Sequence, residues 1–148
     1  MAHLKVGAPL AGVAVPLTEV PDPVFAGAIV GPGVAVEPDA DATVAVAPIG
    51  GGLVKVKPHA FVVADSDGHA VLVHLGIDTV KLAGDGFEVL AEEGTTIAPG
   101  EPVIRWDPAA VRAAGLSAIC PVIALDAASV TDPAAGRIAA GEALYTWT

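Results

Sequence analysis

The chain has 148 residues, 53% hydrophobic but only 4% aromatic, with 17 glycines, 13 prolines and a formal charge of -10. That length suffices for one domain with its own core, burying roughly 68–70% of the surface its unfolded chain exposes, and so much glycine and proline favours short strands and turns over long helices. So acidic a surface repels phosphate backbones and anionic lipid heads, which excludes nucleic acid and membrane surfaces as partners, while the single cysteine, Cys120, excludes an internal disulfide and a zinc-ribbon spacing.

In chain order, MAHLKVGAPL (1–10) lacks the charged, apolar and small-residue sequence of a signal peptide. No apolar run reaches the roughly 18 residues of a spanning helix. A cytoplasmic protein without membrane insertion is expected. His3 carries no argument. VAVAPIGGGLVKVKP (44–58) alternates, breaks on a glycine triplet and alternates again, as two strands do. HAFVVA, HAVLVHLG, EPVIRWD and ALYTWT are further short strand-like runs, each bounded by turn residues. IAPGEPVI (97–104) and IAAGEALY (138–145) share one pattern, an apolar residue, a turn ending in Gly-Glu and a new strand. DPAAVRAAG is the one credible helix, with Asp107 as cap, Pro108 at the first position and Gly115 as terminator. The expectation is a single domain over residues 1–148, a mostly antiparallel β-sandwich of two sheets with one or two short helices.

Two histidines stand in otherwise apolar runs. DSDG (65–68) has strong turn chemistry, so residues 59–75 read as a hairpin. A turn centred between Ser66 and Asp67 sets His59 directly opposite His74, about 5 Å apart at Cβ. An Asp67-Gly68 two-residue turn instead sets His74 opposite Phe61, with His59 one diagonal away on the same face. An odd-length loop separates them. A neutral imidazole is a competent nucleophile at neutral pH, and a second ring nearby resists its protonation and can donate to an anion built on it. That pairing suits a phosphohistidine, where positioning and charge stabilisation do most of the work. A hydrogen-bonded structural role is the plainer alternative. A zinc site with Asp78 as third ligand is another, although no H-x-H or H-E-x-x-H motif is present.

The remaining residues offer less. His69 falls on the other strand face beside the turn, a solvated position. Cys120 in SAICPVI reads as a small buried hydrophobe. Ser66 and Ser117 lie in no nucleophile-elbow context, and the glycines at 31–33 and 50–52 are followed by no G-K-[ST], so they read as turns. A biotinyl or lipoyl carrier needs a tip lysine flanked by methionine, and Lys5, Lys55, Lys57 and Lys81 have none.

HAF (59–61), VLVHLGIDTVKLAGDGF (71–87) and AEEGTTIAPGEPVIRWD (91–107), preceded by EVPDPVFAGAIVGPGVAVEP (19–38) and VAPIGGG (46–52), resemble the IIA domain of the glucose family of the bacterial sugar phosphotransferase system. The resemblance implies a two-sheet sandwich that accepts a phosphoryl group from the histidine phosphocarrier protein and passes it to the IIB domain of a glucose-type sugar permease. His74 then matches the phosphoryl acceptor and His59 its supporting histidine. Val24, Phe25, Val30, Leu72 and Val80 match an apolar docking surface; Leu72 shares a strand face with His74 by period-2 counting as well. Asp22 and Asp78 match acidic positions near the site. The resemblance implies no cofactor, and glucose or N-acetylglucosamine as the family-level sugars. It also allows a regulatory module that docks target proteins and is switched by phosphorylation. The chain departs from the family at Lys57, which stands in place of a threonine, at Leu72, which stands in place of an aromatic, and in a segment 50–58 about two residues shorter. Lys57 is either a solvated turn lysine or a cation offered to the phosphoryl group.

Overall fold

The computed structural model describes residues 4–147, so Met1 and His3 lie outside the described residues. In chain order these form β1 (Leu4–Gly7), β2 (Gly12–Pro16), α1 (Pro23–Ala26), β3 (Gly33–Pro38), β4 (Val44–Val46), β5 (Gly51–Lys57), β6 (Ala60–Ala64) and β7 (Ala70–His74). There follow β8 (Glu88–Val89), β9 (Thr96–Ile97), β10 (Pro102–Arg105), α2 (Pro108–Ala113), β11 (Cys120–Ala124), β12 (Val130–Thr131), β13 (Gly136–Ile138) and β14 (Ala143–Trp147). Short 3-10 turns cover Leu17–Glu19 and Thr79–Leu82.

One eight-stranded antiparallel sheet, in the order β13-β2-β3-β11-β7-β6-β5-β9, packs on two three-stranded sheets, β1-β14-β12 and β4-β10-β8. Strand alternation aims Val34, Val36, Phe61, Val63, Val71 and Val73 inward, against Val6, Ala45, Val103, Leu144 and Tyr145 of the smaller sheets. The expected antiparallel sandwich with short helices is what forms; its second layer is split in two. A hydrogen bond bolts the layers together: the buried Tyr145 hydroxyl donates to the Val122 carbonyl oxygen at 3.1 Å. Burial also pushes the Tyr145 phenol well above its ordinary range.

The split layer has a sequence cause. In each shared Gly-Glu turn the glutamate carboxylate accepts the backbone N–H three residues back, Glu101 from Ala98 at 2.8 Å and Glu142 from Ala139 at 2.7 Å. The preceding glycines take matching positive φ, +84° at Gly100 and +87° at Gly141. Each glycine N–H then donates to an alanine carbonyl oxygen, Gly100 to Ala47 and Gly141 to Ala8. The turn after β9 therefore launches β10 onto β4 as the turn after β13 launches β14 onto β1. The helix α2 also forms as read, with Asp107 Oδ1 accepting from the Ala110 N–H at 3.2 Å and Gly115 at φ +84°.

Two expectations need correction. The 59–75 hairpin has neither anticipated register: Ala60 faces His74 and Phe61 faces Val73. The tip is a three-residue loop, Ser66–Gly68, closed by the Asp65 N–H donating to the His69 carbonyl oxygen, with Gly68 at φ +91°. Asp65 sets that length, because its Oδ1 accepts from both the Asp67 and His69 N–H groups, at 3.0 and 2.9 Å. His69 is not solvated: its Nδ1 lies 2.8 Å from Asp65 Oδ2 and its ring meets Trp147 edge-on at 4.8 Å between centroids. Cys120 is buried as read, its thiol donating to the Ala118 carbonyl oxygen at 3.2 Å, and burial raises its pKa out of any useful range.

Candidate functional site

With Val71 and Val73 in the core, Leu72 and His74 emerge on the outer face of the large sheet. A second apolar cluster covers that face, built on Leu17, Val20, Ala35, Ile77, Ile119 and Ile123, with Phe25, Val30 and Leu72 packed on it at its partly exposed margin. Asp22 opens the covering segment: its carboxylate accepts from the Val24 N–H at 2.9 Å and caps α1, with Pro23 at the first helical position. This cap turns the Phe25 ring toward His74, 5.3 Å away between ring centroids.

His59 reaches the same place by an unexpected route. The odd hairpin loop would send residues 59 and 74 to opposite faces, but His59 lies outside β6. It is half of the two-residue turn Pro58–His59 that joins β5 to β6, with Lys57 facing Ala60 across it. Its carbonyl oxygen accepts from the Leu75 N–H at 2.7 Å, which ties the turn to the end of β7. The two imidazoles meet edge-on, 5.2 Å between centroids. Turn geometry brings together what the strand register separates.

The proton on His74 is fixed by its partner. Nδ1 lies 2.6 Å from the Gly76 carbonyl oxygen, which can only accept, so Nδ1 carries the hydrogen and Nε2 presents a lone pair. Gly76 can aim that carbonyl because it has no side chain. Its φ is +77°, and a Cβ there would meet Thr79 Cγ2 at 2.6 Å and the Ser117 carbonyl oxygen at 2.8 Å. Thr79 is fully buried, and its hydroxyl donates to the Leu75 carbonyl oxygen at 2.7 Å, locking the turn that follows His74.

Electrostatics keep both rings neutral near neutral pH. Burial pushes the His74 pKa below its ordinary value, against the opposing pull of the Gly76 carbonyl and the Asp22 and Asp78 carboxylates. For His59, burial and then the charges of His74 and Lys57 all push downward. Asp78 is exposed in the left-handed conformation at φ +62° and begins the turn that carries Val80. Val24, in α1, is 42% exposed and Val80, in the turn after Asp78, 60%.

Of the nine residues singled out from the sequence, His59, His74, Asp22, Phe25, Val30, Leu72 and Asp78 share one neighbourhood, while Val24 and Val80 are exposed on α1 and on the turn after Asp78. Sequence reasoning missed three more. Ile29, 73% exposed beside α1, is the most exposed large hydrophobic residue described. The Gly76 carbonyl and the Thr79 hydroxyl were overlooked because a backbone acceptor and a buried turn residue leave no trace in composition. The glycine directly after H-L was the available signal. The zinc reading loses its third ligand. Among the described residues, the one group placing three ligand atoms within 4.8 Å of one another is Asp65, Asp67 and His69 at the hairpin tip, and Asp78 completes no such set with the histidine pair.

Comparison with known proteins gives a consistent answer. A family model described as phosphoenolpyruvate-dependent sugar phosphotransferase system, EIIA 1, matches residues 4–130. The chain is 41% identical over 124 residues to the glucose-specific EIIBCA component of Corynebacterium glutamicum, covering 84% of this chain and 18% of that protein. It is 38% identical over 118 residues to the glucose-specific EIIA component of Bacillus cereus, covering 78% of this chain and 70% of that one. The solved glucose permease IIA from Mycoplasma capricolum superposes with a TM-score of 0.92 at 30% identity, covering 100% of this chain and 97% of that one. The chain thus spans about a fifth of the multidomain relative and most of the free-standing one.

Proposed function

Because this chain belongs to the EIIA 1 family of the phosphoenolpyruvate-dependent sugar phosphotransferase system, we propose that it is a phosphocarrier whose acceptor is Nε2 of His74. One observation carries the assignment: the 2.6 Å hydrogen bond from His74 Nδ1 to the Gly76 carbonyl, which leaves Nε2 as the free nucleophile. The Nε2 lone pair forms the new N–P bond while the N–P bond of a phosphorylated donor histidine breaks, its electron pair returning to the donor ring. The proton stays on Nδ1 throughout, hydrogen-bonded to the Gly76 carbonyl oxygen. His59, edge-on to His74, donates a ring N–H to the transferred oxygens. The reverse sequence delivers the group onward.

The donor is the histidine phosphocarrier protein, and the acceptor is the IIB domain of a glucose-type sugar permease. Both dock on the apolar rim of Val24, Phe25, Ile29, Val30, Leu72 and Val80, which excludes water from the transfer. Residues 1–148 act as one such domain, on the cytoplasmic side. Among the described residues no helix is long and apolar enough to cross a membrane, so the sugar is selected elsewhere. Intact mass after incubation with phosphoenolpyruvate, the first enzyme of the relay and the histidine phosphocarrier protein tests this. Wild type gains one acid-labile phosphoryl group and His74→Ala gains none. A phosphoryl group persisting in His74→Ala, or absent from wild type with active donors, overturns the assignment.

A further inference from the structure

Register places a free cation in line with the acceptor. Lys57 of β5 faces Ala60 of β6, and Ala60 faces His74 of β7. Directly paired residues project to the same side of a sheet, so Lys57, Ala60 and His74 form one row on the outer face. The middle member contributes only a methyl group, itself buried at 9% exposure. Two strand spacings, about 9.5 Å, separate the backbones of Lys57 and His74. The four-carbon lysine stem covers about 6 Å of that span, and the imidazole with its phosphoryl group extends toward it from the other side.

The charges around this row are uneven. Asp22 and Asp78 both act on His74, and both repel a phosphoryl dianion. Among the described residues each arginine has a carboxylate partner: Arg105 pairs with Glu88, Arg112 with Glu37 and Arg137 with Asp39. Lys57 is exposed and has no ion-pair partner among the described residues, and its charge already reaches His59. Lys55 lies on the same strand and face, one row away, opposite Val62. Lys81 lies in the turn that follows Asp78.

We propose that Lys57 is a phosphoryl-binding residue, its ammonium taking an oxygen of the group carried by His74 across the methyl of Ala60; this rests on the phosphocarrier reading above. The contact exists only in the phosphorylated state. It offsets the two carboxylates and sets how firmly the protein holds its cargo.

The test compares wild type with Lys57→Met, Lys57→Arg, Lys55→Met and Lys81→Met. One readout is the equilibrium phosphorylated fraction against the phosphorylated histidine phosphocarrier protein. The other is the second ionisation of the phosphohistidine, followed by phosphorus NMR, which donor docking does not influence. Lys57→Met is expected to lower the exchange equilibrium about tenfold and to weaken the phosphoryl acidity by a similar factor. Lys57→Arg should stay within about threefold of wild type, as should Lys55→Met and Lys81→Met. Unchanged phosphoryl acidity in Lys57→Met overturns the inference while leaving the carrier reading intact. Equal shifts in all three methionine variants also overturn it, since bulk charge then explains the effect. Wild type that takes up no phosphoryl group overturns the carrier reading, and this inference with it.

Discussion

Replacing Gly76 with alanine tests the link between backbone and chemistry at one atom. The new Cβ would sit 2.6 Å from Thr79 Cγ2 and 2.8 Å from the Ser117 carbonyl oxygen, on a residue at φ +77°. The left-handed conformation costs a non-glycine residue about 1–2 kcal/mol, and forcing a methyl group into packed surroundings adds about 1–3 kcal/mol. Neither neighbour can yield easily: Thr79 is buried and bonded to Leu75, and the Ser117 carbonyl holds the Ile77 N–H at 2.9 Å. The sum, roughly 2–5 kcal/mol, corresponds to a melting-temperature fall of about 5–15 °C for a domain of this size. Relief comes from swinging the 76–79 turn outward, which takes the Gly76 carbonyl from His74 Nδ1. The imidazole then samples both tautomers, and the initial rate of phosphorylation should fall about 10- to 100-fold at a temperature where the variant is still folded. Nitrogen NMR of His74 would show the tautomer mixture directly. Wild-type phosphorylation with a single Nδ1–H tautomer in folded Gly76→Ala would refute the reasoning, because the carbonyl would then not be what fixes the proton.

Four further outcomes follow from the same structure. Both site histidines have lowered pKa values, so below about 6.5 the unfolded chain takes up protons that the fold resists. The stability they confer is complete above that pH and is lost as pH falls through the folded values; urea unfolding at pH 7.5 and pH 5 should show the decrease, and His59→Gln should reduce it. Asp78→Asn keeps a side chain that tolerates φ +62° while removing a charge that faces an increasingly anionic site. Its phosphoryl-exchange equilibrium should shift severalfold toward the phosphorylated form, and an unchanged equilibrium would show that the carboxylate has no such influence. Tyr145→Phe leaves the Val122 carbonyl without its cross-layer donor and should cost about 1–2 kcal/mol in denaturant unfolding. Glu101→Ala and Glu142→Ala should each cost about 0.5–1 kcal/mol, in near-equal amounts, if the two Gly-Glu turns are structural equivalents.

Local chemistry was the most legible part of the sequence. The cap and terminator of α2 and the two Gly-Glu turns depend on neighbours within a few residues, and each forms as its residues dictate. The histidine pair was found for a partly mistaken reason. Both anticipated registers assumed an even loop, whereas Asp65 closes a three-residue tip, and the rings meet only because the Pro58–His59 turn frees His59 from strand alternation. His69 was misjudged because its partner Trp147 is 78 positions away in sequence and only the fold brings it near. Ile29 went unnoticed because an apolar residue in a turn looks the same whether it is buried or displayed. The proton-fixing carbonyl of Gly76 is a property of backbone direction, which side-chain types do not announce.

The most direct test of the account is to phosphorylate the nitrogen-labelled protein and read the phosphorus–nitrogen coupling. The account predicts coupling to Nε2 of His74, with the Nδ1 proton retained and still hydrogen-bonded. Coupling to Nδ1 of His74, or to either nitrogen of His59, would contradict it.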